Sequence, residues 1–463
     1  MSKQRRFLPP RVVNKLATAR QIGQANRELL DVIAKKVPAS ERVWTPVADR
    51  LFPLPTNPPD AFEHWCRRFI DHRNDDLIRT FCANLPKQPI ISIVLAVHTT
   101  TPEYLSEAIA SVRSQIYEHW QLCLVDDASH DDELTRILVD GALGDPRVDL
   151  KVRPKRGNVV TALNEGITMA YGSFVTFLDH DDLLPPDALA WVVAAINLHP
   201  TSRLLYTDDA YLHADGERVN PYFKPEYDPT LLLGQNYMNH LITFERSTLN
   251  DLEGFRKGTD GVQDWDLTLR ATERLSPDEV THIPAIGYLW RNPPASDHPL
   301  SANPRTLENA STVVRQAMRR QGIVGTIEPV NSMMRLLHHP PIDLPRVHLI
   351  VLADQDTQGL TLAIESLAHT SYPNLHLTVL ATPDHPDIAD VPTTIDLRVA
   401  EHSFADALNA LVAETPNPLL CLFSAASRVR NANWLHELVG LAISDNVGAV
   451  GGLVLLPDGT IHN

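Results

Sequence analysis

Short apolar runs that alternate with helix-patterned segments constrain this chain more than any other feature. ISIVLAV (91–97), WQLCLVDDAS (120–129) and the run FVTFL (174–178) read as strands, the first and last apolar but for Ser92 and Thr176, as in strands buried on both faces. Between them, EYLSEAIASVRSQI, ELTRILVDGAL and RGNVVTALNEGITMAYG read as helices, with a short strand around VDLKVR (148–153). From Pro89 onward this order predicts a right-handed, doubly wound α/β sheet. Such sheets bind ligands beyond the C-terminal ends of their strands.

The acidic residues fall at those ends. Asp126 and Asp127 close the second strand, and Asp179, Asp181 and Asp182 follow FVTFL directly. Desolvated carboxylates this close repel one another, and a cation relieves the repulsion. Hard oxygen ligands suit Mg²⁺ or Mn²⁺, ions that commonly serve phosphate-bearing substrates. A solvated Asp-rich turn capping the next helix would also produce the run. Further on, LLYTDDAYL (204–212) predicts another strand. The Pro- and aromatic-rich stretch NPYFKPEYDPTLLLGQNYMNHLITF predicts a shaped loop over a site rather than regular structure. In GFRKGTDGVQDWDLTLRATE (254–273) a Gly-rich loop passes into a helix at about Gln263, with Asp264 and Asp266 near its dipole-positive end. A helix N-terminus by itself would account for these acids.

Composition narrows the class. A chain of 463 residues predicts two or three domains, and 43% hydrophobic with 21% charged residues is ordinary for a soluble globular protein. A formal charge of −16 argues against a nucleic-acid partner. Cys66, Cys82, Cys123 and Cys421 lack CxxC spacing, which predicts neither a disulfide framework nor a zinc site and fits a reducing, cytoplasmic compartment. No apolar run approaches the roughly 18–20 residues that span a bilayer. Lys3, Arg5, Arg6, Arg11, Lys15, Arg20 and Arg27 all precede the first acidic residue, Glu28. This basic arm is either a solvated tail or a peripheral contact with an anionic membrane, at the inner face of the cytoplasmic membrane. Residues 1–88 as a whole read as a helical N-terminal region with Pro-rich breaks at 52–59.

Residues 89–300 resemble the inverting, family 2 type of nucleotide-sugar glycosyltransferase with the GT-A fold, a Rossmann-like α/β domain. The likeness rests on an ordered series: ISIVLAVHTTTPEYLSEAIASV, LCLVDDAS, GNVVTALNEG, TFLDHDD, YFKPEYDP, QNYMNHL, GVQDWDLTLR and HIPAIGYLWR. Among these enzymes the chain looks most like the long, multi-domain bacterial ones that build surface polysaccharides, including O-antigen and rhamnosyltransferase-like proteins. The resemblance implies that Val97, His98 and Thr99, with Asp126, Asp127, Asn158, Asp179 and His180, line a nucleotide-diphosphate sugar. Asp127 takes the place of the acid that meets a uracil or thymine ring. Asp179 and Asp181 match the Asp-X-Asp pair that holds Mn²⁺ or Mg²⁺, and Asp264 matches the catalytic base. His240, Trp265 and Asp266 then fall on the side of a glycan or lipid-linked acceptor. Leu289 and Pro293 stand where the family often has histidines, which leaves His282 and His298 as candidate third metal ligands.

After a Pro-rich linker at 335–346 the pattern repeats. VHLIVLA (347–353) echoes ISIVLAV, LAIESLAHTSYPNLHLTVLAT echoes EAIASVRSQIYEHWQLCLVDD, and ALNALVAETPNPLLCLFSAAS echoes ALNEGITMAYGSFVTFLDHDD. A repeat of this length implies a second domain of the same fold. Its acids are gone: Ala381 and Thr382 replace Asp126 and Asp127, and Ser424, Ala426 and Ser427 replace Asp179, Asp181 and Asp182. The expected organisation is a helical region with a basic arm (1–88), a GT-A glycosyltransferase domain (89–334), a linker (335–346) and a degenerate, truncated GT-A-like domain (347–463). Two other readings stand beside the transferase. A sugar-phosphate nucleotidyltransferase would need a Gly-rich, basic loop after the first strand, which AVHTTTPEYL lacks. A non-catalytic scaffold of a polysaccharide assembly is the other.

Overall fold

The structure is a computed structural model. It describes residues 73–463 apart from 214–215, 292–302, 331–332, 341, 355–358, 416–418, 445–446, 457–458 and 461–463, together with Phe62 and Cys66. The basic arm and the candidate ligand His298 lie outside the described residues.

The described part of the N-terminal region is helix α1 (Asp75–Ala83), capped by the Asn74 side chain on the Leu77 N–H. The strands then follow as expected: β1 (Ile91–Val97), β2 (Trp120–Asp126), β3 (Val148–Val152) and β4 (Phe174–Phe177), separated by α2 (Pro102–Arg113), α3 (Asp132–Ala142) and α4 (Val159–Met169). All four strands are parallel, in the order β3-β2-β1-β4. Strand order therefore reverses at β1, which opens a crevice at the C-terminal tips of β1, β2 and β4. Helix α5 (Ala188–Leu198) is buried along most of its surface because it packs against both α1 and the β8 side of the sheet.

Beyond β4 the sheet departs from a purely parallel one. β5 (Leu204–Leu212), β6 (Arg218–Tyr222), β7 (Ile242–Glu245) and β8 (Val280–Trp290) complete it in the order β4-β7-β5-β6, with β8 parallel to β5. β7 runs antiparallel to both β4 and β5, so the sheet is mixed. The segment expected as an irregular loop thus supplies a central strand. Its ITFE core is four residues long, too short for periodicity to reveal. The same segment holds β6 and the short helix α6 (Pro229–Gly234); α7 (Arg246–Asp251) follows β7, and α8 (Gln263–Thr272) begins where the sequence predicts. Helix α9 (Pro304–Arg320) is capped by Asn303.

The polypeptide divides into two compact units, Met1–Gln321 with Pro329–Arg335, and Gly322–Glu328 with Leu336–Asn463. The division runs through a hairpin of β9 (Gly325–Val330) and β10 (Met333–His338), so strand structure occupies the first part of the expected linker. The second unit carries its own parallel sheet of β11 (Val347–Ala353), β12 (Leu375–Ala381), β13 (Asp396–Val399) and β14 (Leu419–Ser424), in the order β13-β12-β11-β14. Its register matches that of the first unit. Val97 pairs with Asp126 and Ala353 with Ala381; Ile91 pairs with Phe174 and Val347 with Leu419. Tyr117 donates its hydroxyl to Pro89 O at 2.7 Å, and Tyr372 does the same to Pro345 O at 2.6 Å.

Candidate active site

The strand tips bring the two acidic groups to the crevice. Asp126 and Asp127 are both buried at the end of β2. Asp126 accepts from the Ser129 N–H at 2.8 Å and so shapes the turn that follows. Asp127 accepts from the Arg153 guanidinium and from the N–H groups of Gly157 (2.9 Å) and Asn158 (3.1 Å). Its carboxylate therefore anchors the entry to α4. Asn158 caps that helix, accepting from the Thr161 N–H at 3.0 Å, and its amide donates to Asp260 at 2.9 Å. Val97 turns its side chain into the core, and its carbonyl accepts from the Asp127 N–H at 2.7 Å. His98 is half-buried with Nδ1 3.2 Å from Asp127 O, and Thr99 is exposed.

At the tip of β4, Asp179 is open to solvent, His180 and Asp181 are half-buried, and Asp182 is buried. Although the residue is exposed, desolvation by the protein around its carboxyl, reinforced by the charges of Asp181 and Asp264, lifts it to about 7. Asp182 is likewise held well above the carboxylate range, by burial first and then by Asp179, although it accepts from the Tyr288 hydroxyl (2.7 Å) and the Arg291 N–H (2.7 Å). Burial holds the His180 imidazole below its ordinary value against the pull of Asp181, 3.4 Å away.

A histidine completes this group. One ligand atom each from Asp179, Asp182 and His240 lies within 4.8 Å of the others. Burial, reinforced by the Lys224 charge, keeps His240 neutral at ordinary pH, with its pKa lowered to about 3. Its ring stacks on Tyr288 at 4.5 Å and tilts against Trp290 at 5.4 Å. Two carboxylates and a neutral imidazole, with Asp181 beside them, form a donor set suited to a divalent ion, which would also relieve the crowding that raises Asp179 and Asp182.

Asp264 stands in the first turn of α8, near enough to Asp179 for their charges to interact. Asn236 donates its amide to Asp264 Oδ2 at 2.9 Å, and the Trp265 N–H donates to Oδ1 at 2.9 Å. Burial nevertheless holds this carboxyl above the usual range.

Three expected positions fall elsewhere. Trp265 is buried and donates its indole N–H to Leu232 O at 2.7 Å, which makes it a packing residue. Asp266 is fully buried between Arg256 and Arg270, accepting from Arg270 Nε at 2.8 Å. Neither can face an acceptor. Helical period explains it: one and two positions after Asp264 the helix has turned toward the core. His282 is engaged with Asp208 at 2.8 Å and stacks on Tyr206 at 5.0 Å, and it stands outside the Asp179–Asp182–His240 group. Sequence reasoning missed Asn236, Tyr288 and Lys224. The quoted motifs contain all three, but nothing in their spacing singles them out.

The glycosyl transferase family 2 model matches residues 92–248. The uncharacterized protein y4gI of Sinorhizobium fredii is 34% identical over 415 residues, covering 86% of this chain and 45% of that protein. The O-antigen biosynthesis protein RfbC of Myxococcus xanthus is 33% identical over 421 residues, covering 88% of this chain and 33% of that protein. The chain thus spans less than half the length of these two relatives. Among solved structures, S. aureus TarS in complex with UDP-GlcNAc is 18% identical over 50% of this chain and 66% of that one, with a TM-score of 0.41. The match over 92–248, set on an α/β sheet with acid-bearing strand tips, identifies a glycosyltransferase family 2 domain in this chain.

Proposed function

We propose that the chain transfers a sugar, with inversion, from a UDP- or dTDP-sugar to a hydroxyl of a glycan or lipid-linked acceptor in the building of a surface polysaccharide. One observation carries this reading. A carboxylate with a raised pKa, Asp264, is held by Asn236 beside the Asp179 cluster at the switch point of an α/β sheet. A general base works best when its pKa approaches the operating pH, and burial moves Asp264 that way. In the proposed step the acceptor oxygen bonds to the anomeric carbon while the carbon–oxygen bond to the diphosphate breaks. The acceptor proton passes to Asp264, and the nucleoside diphosphate leaves with the electron pair.

Asp179, Asp181, Asp182 and His240 would hold Mn²⁺ or Mg²⁺. The ion would offset negative charge on the diphosphate. Asp127, which already accepts from Arg153, Gly157 and Asn158, stands at the position where the family resemblance puts the acid that meets a uracil or thymine ring. In the second unit, the matching register with Ala381 and Ser424 at the acid positions supports a degenerate GT-A-like domain without chemistry of its own.

The test is a donor screen with Mn²⁺, reading release of nucleoside diphosphate, with Asp181→Ala and Asp264→Asn as controls. Release from one donor that depends on metal and on both residues supports the reading. Normal nucleotide binding without release from any donor favours a non-catalytic scaffold. Among the described residues no helix is long and apolar enough to cross a membrane. Peripheral contact through residues 1–27 is testable by co-sedimentation with anionic vesicles at low salt.

A further inference from the structure

Lys224 is the most deeply buried cation beside this site. Its side chain has no solvent exposure. The ammonium group pairs with Asp209 at 2.9 Å and donates to the backbone carbonyls of Asn239 and His240. An ammonium has three protons, and these three acceptors use them all. The Lys224 backbone N–H is fixed in turn by Asp208 at 2.8 Å, and the neighbouring Leu241 N–H by Thr207 Oγ1 at 3.2 Å. Lys224 thus ties β5, which carries Asp208 and Asp209, to the peptide that carries His240. A cation so enclosed cannot reach a phosphate. Its effect falls on the backbone of residue 240, which has a positive φ of 50° that an isolated histidine rarely adopts. The ring leaving that backbone is the one stacked on Tyr288 and grouped with Asp179 and Asp182.

We propose that the buried Lys224–Asp209 pair is a positioning device. It clamps the 239–240 carbonyls so that the His240 imidazole is presented to Asp179 and Asp182. The inference deepens the glycosyltransferase reading and rests on it only for turnover. Its structural arm stands alone.

The experiment is histidine Cε1–H NMR of the full chain, with the His240 signal identified by its loss in His240→Gln. Stacking on Tyr288 displaces that signal by ring current. In Lys224→Met the displacement should collapse while the remaining histidine signals hold. Lys224→Met leaves Asp209 buried and unpaired, so Lys224→Met/Asp209→Leu removes both charges together and protects the fold. The same collapse is expected there. In the donor screen, kcat should fall roughly 10²-fold, the scale of a misplaced site group, with donor KM little changed. Adding Lys224→Met to His240→Gln should cause no further loss. An unmoved His240 signal in the folded double variant overturns the proposal, as does a full additive loss in the His240→Gln background. If the unaltered chain turns over no donor, the His240 signal alone decides, and the failure belongs to the glycosyltransferase reading.

Discussion

Asn236 donates its side-chain amide to Asp264 at 2.9 Å, and this bond ties the QNYMNHL segment to the first turn of α8. It stabilises the charged form of Asp264 and so opposes the burial that raises the carboxyl. Asn236→Ala should therefore raise the Asp264 pKa further and shift the acid limb of the kcat/KM profile to higher pH. Asp264→Asn should lower kcat by about 10²–10⁴-fold, the usual span for a lost general base. A pH–rate profile of both variants checks the pair. An unmoved acid limb in Asn236→Ala would show that Asp264 is not the titrating base.

Asp127 and Arg153 form a largely buried ion pair, with side chains 4% and 14% exposed. Removing one partner strands the other. Asp127→Ala should lower unfolding free energy by about 3–5 kcal/mol, since Gly157 and Asn158 also lose their acceptor. Urea denaturation measures this, and nucleotide affinity should fall in parallel.

The Asp208–His282 pair makes stability depend on pH. Burial works against the His282 imidazolium, but Asp208 at 2.8 Å and Glu226 at 3.7 Å outweigh it and hold the pKa above 6.5. A group raised on folding contributes fully below its unfolded pKa and loses that contribution as pH rises through the folded value. Melting temperature should thus decline from about pH 6.5 upward, the ordinary histidine value. The decline should shrink in His282→Gln, and thermal melts across that range would reveal it. An equal slope in the variant would remove His282 as its origin.

The two sheets share a register, yet the second has Ala381 and Thr382 where the first has Asp126 and Asp127, and Ser424, Ala426 and Ser427 where it has Asp179, Asp181 and Asp182. Titration with UDP or dTDP should give one site per chain, abolished by substitution at Asp127 or Asp179. A second site surviving both substitutions would assign nucleotide binding to the other unit.

Much of the crevice was legible in the residue order. The β4 tip is readable because a buried strand ending in Asp179, Asp181 and Asp182 is an unusual local event, and Asp264 because a helix start has its own signature. Trp265 and Asp266 were misplaced because adjacency in sequence is not adjacency on a helix face. His240 drew attention as an acceptor-side residue, whereas the fold groups it with Asp179 and Asp182.

Residue order alone determined the alternation of strands and helices, the strand tips that bear acids and the repeat that lacks them. These are local or periodic properties, written in hydrophobicity and spacing. Tertiary structure decided what depends on long-range pairing. It placed β7 between β4 and β5, brought Tyr288 to Asp182 and Asn236 to Asp264, and enclosed Lys224 beneath His240. Residues 106 positions apart, like Tyr288 and Asp182, meet only because a sheet fixes both strands, and no spacing rule encodes that distance.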